Sequence, residues 1–363
     1  MVKGKNRRLA FIVANYFGQC RGGAELQSEF VARQARQQGW DIHYCFVSNG
    51  NKYSTRDDVS LYPIRKRFLW SKLSNIKYPY HGSLLRVLRQ IRPEVIYQRG
   101  ATSFTGIAAR YAARNPCRLV YHVASDPEVQ ASPLPWARPW LIPELLYFRY
   151  GLRNAGTVIA QTQMQADALK ENYNRQAAVI PNGHPDPGEC EKTERPLRVL
   201  WIANWKQLKR PELFVELAER IGGQGGIRFV MLGRQDGYRQ LADRAKHIGI
   251  DVPGEVTNER VNELLTESHV LVNTSSYEGF SNTFVQAWMR KVPVVSLSVD
   301  PDKLLTARQL GFRSGSFDQL VSDTRLLLGD SELRNRLGAR SRNYALNHCS
   351  MENMKRIVDI IAE

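Results

Sequence analysis

Glu278 stands in the stretch SSYEGFSNTFVQAW (275–288), where a polar loop runs into an apolar pattern of helical period. The start of a helix leaves backbone N–H groups unpaired and partially positive. Gly279 and the capping types Ser281 and Asn282 mark such a start, a place that favours an anion such as a phosphate. Gln286, eight residues beyond Glu278, falls about two turns along a helix beginning near Ser281, so both polar groups point to one side. A carboxylate beside a phosphate is costly unless it accepts hydrogen bonds from hydroxyls. A sugar attached to a nucleoside diphosphate offers phosphate and hydroxyls together, and Glu278 is expected to hold that sugar.

Two other loops have suitable chemistry. YFGQCRGGAE (16–25) follows an apolar run and carries Gly18, Gly22 and Gly23 just before a helical pattern. Glycines there let backbone approach a phosphate or sugar oxygen, or they serve a tight turn alone; the spacing is not GxGxxG. ANWKQLKRPE (203–212) crowds Lys206, Lys209 and Arg210 between a strand and a helix, and Arg234 follows the next strand. These cations either neutralise a leaving diphosphate or form a solvated face. Asp300-Pro-Asp302 is formally a DxD, but Pro301 favours a turn, and no metal is expected because the cationic loops supply the same electrostatic help.

These loops need elements to aim them. Strand patterns at 8–14, 41–47, 94–98, 118–124, 157–161 and just before Pro181 alternate with helical patterns at 23–38, 82–91, 103–114, 143–154 and from Met164. The segment 182–198, rich in Pro and Gly, reads as a linker. The alternation then restarts, with strands at 198–203, 227–233, 269–275 and 292–298 and helices from Pro211, near 238–248, at 282–290 and at 317–328, 330–347 and 350–362. Two doubly wound parallel sheets of the Rossmann type are expected, facing a cleft at the carboxyl ends of their strands. The expected domains are 1–185, 186–345 and a C-terminal helical segment 346–363 packing back on the first.

The bulk properties agree. A chain of 363 residues with 43% hydrophobic and 24% charged residues has the material for two globular domains, and its apolar runs are too short to span a bilayer. Residues 9–14 suit a strand better than a secretory signal, and five scattered cysteines suit reduced thiols, so a cytoplasmic location is expected. The net charge of +16 calls for a polyanionic partner. From Val59 to Pro93 there are eight Lys or Arg and no acid, interleaved with Trp70, Tyr78 and Tyr80, and residues 133–156 again mix aromatics with Arg. An anionic membrane surface fits both stretches; a single-strand nucleic-acid groove and an ordinary solvated face are the alternatives.

EGFSNTFVQA followed by VPVV resembles the signature of the retaining glycosyltransferases of family 4, which have the GT-B fold, with GGAE (22–25), VIPNGHP (179–185), WKQLKRP (205–211), VMLGR (230–234) and LRNRLGARSR (333–342) in the order that family shows. The resemblance implies transfer of a hexose from a UDP- or GDP-sugar with retention and without metal or other cofactor. The acceptor would be a saccharide or a polyprenyl-diphosphate-linked saccharide in cell-surface polysaccharide or glycoconjugate assembly. It implies an acceptor-binding first domain and a donor-binding second one. In the catalytic set, Glu278 would contact the sugar, His122 would face it and Lys209 would neutralise the diphosphate. Gly22, Gly23, Asn204, Arg210, Arg234, Phe280, Ser281, Asn282, Thr283 and Gln286 would complete the donor site. Two positions depart from the family: Gln286 replaces its second acid and Asn204 its usual Arg. A leaving phosphate oxygen is the implied base, with Asp126 the alternative as a nucleophile. A GT-B sugar-nucleotide epimerase and a nonenzymatic nucleic-acid-binding protein are the competing readings; the transferase reading expects no nucleic-acid partner and a peripheral place on the inner face of the cytoplasmic membrane.

Overall fold

The computed structural model describes residues 7–13, 15–18, 22–48, 58–65, 76–190, 192–222 and 226–363. They form two compact units, one of residues 1–181 with 352–363 and one of residues 182–351. The division falls at Pro181, four residues before the boundary drawn from sequence, and the last helix counts with the first unit.

In the first unit the elements run β1 (Arg8–Ile12), α1 (Gly23–Gln37), β2 (Asp41–Ser48), β3 (Ser60–Arg65), α2 (His81–Ile91), β4 (Val95–Arg99), α3 (Ser103–Ala112), β5 (Arg118–His122), α4 (Ile142–Asn154), β6 (Thr157–Ala160), α5 (Gln163–Tyr173) and β7 (Ala178–Val179). The described strands make one sheet of order β3-β2-β1-β4-β5-β6-β7, parallel throughout. Leu9, Ala10, Phe11 and Ile12 are all fully buried, as a central strand covered on both faces requires. Helices α3 and α4 touch backbone to backbone: a Cβ on Gly106 would overlap the Tyr147 carbonyl, and one on Gly151 would lie 2.5 Å from Gly106 N. That contact fixes which face of α4 turns inward, namely Phe148, Gly151 and Leu152.

The second unit runs β8 (Leu197–Ile202), α6 (Pro211–Ile221), β9 (Ile227–Leu232), α7 (Arg239–His247), β10 (Asp251–Gly254), α8 (Asn258–Thr266), β11 (Val270–Asn273), α9 (Asn282–Trp288), β12 (Val294–Ser296), β13 (Gly311–Arg313), α10 (Phe317–Gly329) and α11 (Ser331–His348). Its described strands order β10-β9-β8-β11-β12-β13, again all parallel. One core cluster gathers Trp201, Trp205 and Phe214, and another gathers Phe280, Phe284 and Trp288. The terminal α12 (Glu352–Ala362) buries Met354, Ile357, Val358 and Ile361 in the first unit. Arg118 Nη2 donates to the carbonyls of Ile360 and Ile361 at 2.8 Å, capping its carboxyl end.

Four elements escape the sequence reading. Pro63 interrupts β3, tolerated because β3 is an edge strand. Strand β10 contains Pro253 and is also an edge, β13 has three residues, and α8 buries just Leu264 and Leu265. The three strands carry no clear apolar alternation, and α8 shows a single turn of helical period, Val261, Leu264 and Leu265, within an otherwise polar stretch.

Candidate functional site

In the second unit the chain winds outward both ways from the β8–β11 pair, with β9 and β10 on one side and β12 and β13 on the other. Such a reversal parts the loops that follow the two central strands and leaves room for a ligand beyond their carboxyl ends. The loop after β8 ends in a 3-10 turn, Gln207–Lys209, and the loop after β11 carries Glu278.

Lys209 Nζ lies 2.9 Å from Glu278 Oε1, the two side chains being 22% and 15% exposed. The same oxygen accepts from Asn273 Nδ2 at 2.8 Å and from Ser275 Oγ at 2.7 Å. Among the described residues no group bonds Oε2. Burial pushes the Glu278 carboxyl up, but the Lys209 charge and the three hydrogen bonds outweigh it and hold the group below the usual carboxylate range. Glu278 is therefore an ionised, fixed acceptor with one oxygen left for a ligand.

The surrounding loops are laced together. Thr274 Oγ1 donates to the carbonyls of Lys209 (2.6 Å) and Arg210 (3.0 Å), while Trp201 Nε1 donates to Thr274 Oγ1 at 2.9 Å. Arg210, left-handed at φ 48°, turns its Nε to Thr274 O and its Nη2 to Ser275 O and Ser298 Oγ. The structure thus places Arg210 as a strut between the loops after β8, β11 and β12, with Nε and Nη2 committed to protein acceptors. Asn204, where a cation was sought, accepts from the Arg234 backbone N–H at 3.1 Å and ties the loops after β8 and β9. The Arg234 side chain is 42% exposed and lies 3.7 Å from Asp236.

Ser281 precedes α9 at its N-cap position, its hydroxyl meeting Thr283 Oγ1 at 3.0 Å, and the helix is seven residues long. Phe280 is buried, its carbonyl accepting from Asn182 Nδ2 at 2.6 Å; Asn282 Oδ1 is buried without a partner in the described residues. Gln286, 3% exposed, donates through Nε2 to Asn258 Oδ1 and Asn262 Oδ1, both at 3.0 Å, and so spans from α9 to α8. Asp300 accepts from Leu305 N and from the Thr306 backbone and hydroxyl, so it caps the turn after β12.

In the first unit the reversal falls at the β1–β4 pair. Gly22 caps α1 and Gly23 opens it, but a Cβ on Gly22 would collide with Glu25 Oε2, and Glu25 Oε1 accepts from Asn15 Nδ2 at 3.0 Å. The carboxylate of the chain itself covers this helix start; a phosphate there would meet a like charge, whereas a hydroxyl would meet an acceptor. His122, at the end of β5, is 1% exposed, with Nδ1 2.7 Å from Tyr97 Oη and 3.5 Å from Arg99 Nη1. Burial, reinforced by Arg99, holds it well below the ordinary histidine range and keeps it neutral. With the Tyr97 hydroxyl donating to Nδ1, the proton belongs on Nε2, which has no partner among the described residues. Asp126 Oδ1 accepts from Gln165 Nε2 at 2.8 Å.

Asn273, Ser275 and Thr274 are the site residues that sequence reasoning missed. Their pattern, two strand-end polar residues and one loop hydroxyl before an acid, acquires meaning once β8 and β11 are known to be neighbours.

Residues 21–185 match the sequence model for Glycosyltransferase Family 4, and residues 196–330 match that for Glycosyl transferases group 1. No curated protein sequence matches the chain. Among solved structures it is similar to sucrose-phosphate synthase from Thermosynechococcus elongatus (TM-score 0.78, 12% identity, 98% of each chain covered). It is similar also to Anabaena HepE in complex with UDP-glucose (TM-score 0.71, 16% identity, 98% of this chain and 99% of that one). WaaG, a glycosyltransferase involved in lipopolysaccharide biosynthesis, superposes at TM-score 0.73 with 16% identity over 97% and 99% of the two chains.

Proposed function

The chain belongs to the glycosyltransferases of the GT-B fold, and on that premise we propose that it moves a hexose from a UDP- or GDP-sugar, with retention and without metal, to a saccharide or lipid-linked saccharide acceptor. The observation that carries the reading is the ionised Glu278 held by Lys209, Asn273 and Ser275 beyond the carboxyl ends of β8 and β11. Glu278 accepts from donor-sugar hydroxyls, and Lys209 turns from Glu278 toward the departing diphosphate. The loop from Phe280 to Thr283 and Gln286 serve the phosphates and ribose, with Arg234 beside them. In the first unit His122 offers its Nε2 proton, and the Gly22–Gly23 backbone a close approach, to a sugar hydroxyl. The second unit holds the donor and the first the acceptor.

In this reading the sugar to phosphate bond breaks with positive charge growing at the anomeric carbon, and the acceptor hydroxyl attacks from the face the diphosphate leaves. The proton passes to the leaving phosphate oxygen. Fixed charges aimed at developing charge lower the barrier, since they need no reorganisation during the reaction. That HepE is described with UDP-glucose and WaaG in lipopolysaccharide biosynthesis supports a UDP-sugar donor and a role in surface glycoconjugates; the place proposed for that work is the inner face of the cytoplasmic membrane.

A thermal-stability screen of nucleotide-sugars tests the donor, because a ligand at a hundred times its Kd stabilises by about 2.7 kcal/mol. UDP- or GDP-sugars are expected to raise Tm, and nucleoside diphosphate is expected to appear when acceptor is added. Release without acceptor, with an epimerised product, would favour the epimerase. Silence toward every nucleotide-sugar, with salt-steep binding of single strands, would sink both.

A further inference from the structure

Of the eight large hydrophobic side chains exposed among the described residues, five are Tyr78, Trp136, Trp140, Leu146 and Tyr150. Trp136 is 74% and Trp140 53% exposed, far more than a packing role requires. Their neighbourhood is built rather than accidental. The Gly106 and Gly151 backbone contact fixes the rotation of α4, so Leu146, Arg149, Tyr150 and Arg153, spaced i, i+3, i+4 and i+7, share the face turned away from that contact. Arg149 donates to the Ser132 carbonyl and moors the Trp136 loop to that same face.

The outward charge carried by this stretch of chain has one sign. Between Val129 and Ala166 the single acid is Glu144, and it accepts from the backbone N–H groups of Lys77 and Tyr78, both at 2.9 Å, and of Ser103 at 2.8 Å. Glu144 thereby serves as an anchor within the fold, leaving Arg138, Arg149 and Arg153 beside two exposed indoles. The exposed Arg138 and Arg153, with Arg149 beside them on the Ser132 carbonyl and no carboxylate of this stretch facing outward, favour an anionic partner, and the rings and Leu146 favour an apolar one. A bilayer containing anionic lipid offers phosphate at the height of the arginines and acyl chain just beneath, where indoles settle.

We propose that the surface formed by the 132–141 loop and the outer stripe of α4 docks the protein on anionic lipid bilayers. No helix of the described residues is long and apolar enough to cross a membrane, so docking on the surface is the mode this stripe can support. The proposal rests on and deepens the membrane part of the reading above, narrowing it to the second of the two stretches noted in the sequence; Lys66 to Asn75 of the first lie outside the described residues. Donor binding enters none of the argument.

Co-sedimentation of the full chain with vesicles of phosphatidylcholine alone, and of phosphatidylcholine with phosphatidylglycerol, tests it. Binding is expected on the anionic vesicles alone and is expected to weaken with salt. R138Q/R149Q/R153Q should lower partitioning about a hundredfold, at roughly fivefold per charge; W136S/W140S should lower it about tenfold. R239Q/R308Q/R336Q, an equal change of charge on the second unit, should leave it within about twofold. Unchanged Tm and nucleotide-sugar affinity in all variants keep this result separate from the fate of the donor site. Equal binding to both vesicle types, none to either, or an equal loss in the second-unit variant would overturn the proposal. So would wild-type self-association, or single-strand nucleic-acid binding, that the two indoles govern in the absence of lipid.

Discussion

At Glu278 one oxygen takes three donors and Lys209 supplies the charge among them. On the function proposed above, a diphosphate that binds Lys209 must first draw the ammonium away from this carboxylate, so the two compete. Glu278→Gln keeps the shape and removes the charge, so affinity for UDP alone should rise about fivefold, the worth of a partly exposed ion pair. Transfer should fall about a hundredfold or more, since the acceptor for sugar hydroxyls is weakened where charge develops. Calorimetry with UDP and turnover with the full donor measure the two; weaker UDP binding would show that Lys209 and Glu278 do not compete. Lys209→Met should weaken UDP about tenfold by removing a charge-assisted bond, and unchanged affinity would move the phosphate clamp elsewhere. His122 should show no imidazole titration by NMR between about pH 5.5 and 7.5, because burial and Arg99 keep it neutral; a midpoint there would contradict its solvent-free setting. Glu278 and Lys209 were legible because a charged residue after a strand pattern stands out. Arg210 was legible as a cation and not as a strut, since its acceptors, Thr274, Ser275 and Ser298, lie 64 or more positions away in the chain.

Among the elements, the contact of α3 with α4 carries the most consequence. It rests on two glycines, and a methyl on Gly151 has nowhere to go: the Thr105 and Gly106 backbone occupies its place. Gly151→Ala should cost about 1–3 kcal/mol by overpacking, although alanine is the better helix former by about 1 kcal/mol at an exposed site. Urea unfolding decides between these opposite signs, and a stabilised variant would mean that the helices are not in backbone contact. Nothing in RYGLRN announces this, because helical period identifies which face is apolar and not how closely its partner comes. The parallel sheets were legible for the complementary reason: strands buried on both faces, such as those containing LAFI and VLV, are continuous apolar runs bounded by polar residues. Helix α8 was not. Its polar sequence hid it, and with it the Asn258 and Asn262 that receive the Gln286 amide.

For the molecule as a whole, +16 predicts what it attracts, but buried titratable groups govern how it holds together. Burial lowers His43, His122 and His269, and takes His184 to about 4. The unfolded chain therefore binds protons that the folded one refuses once pH drops below the ordinary histidine value, and stability falls with pH through that window. Lys192, donating to the carbonyls of Leu265 and Thr266, is lowered by burial to about 7. From there up to the ordinary lysine value the unfolded chain again holds the extra proton, so stability still climbs as pH rises. The thiols have the opposite sign: burial raises Cys45 and Cys117 to about 12 and Cys349 further, so above the ordinary thiol value the folded chain keeps protons that the unfolded one has lost, and stability declines. The three windows together place the maximum near about pH 8–9, with each fully buried histidine adding up to about 1.4 kcal/mol per pH unit on the acid side. Urea midpoints under reducing conditions should accordingly rise steadily from about pH 5 to 8. A level plateau across that range would mean that water reaches these imidazoles, or that carboxylates such as the Asp41 lying 3.0 Å from His43 outweigh burial, and the carboxyl end of β5 that keeps His122 neutral would be the first feature to lose its support.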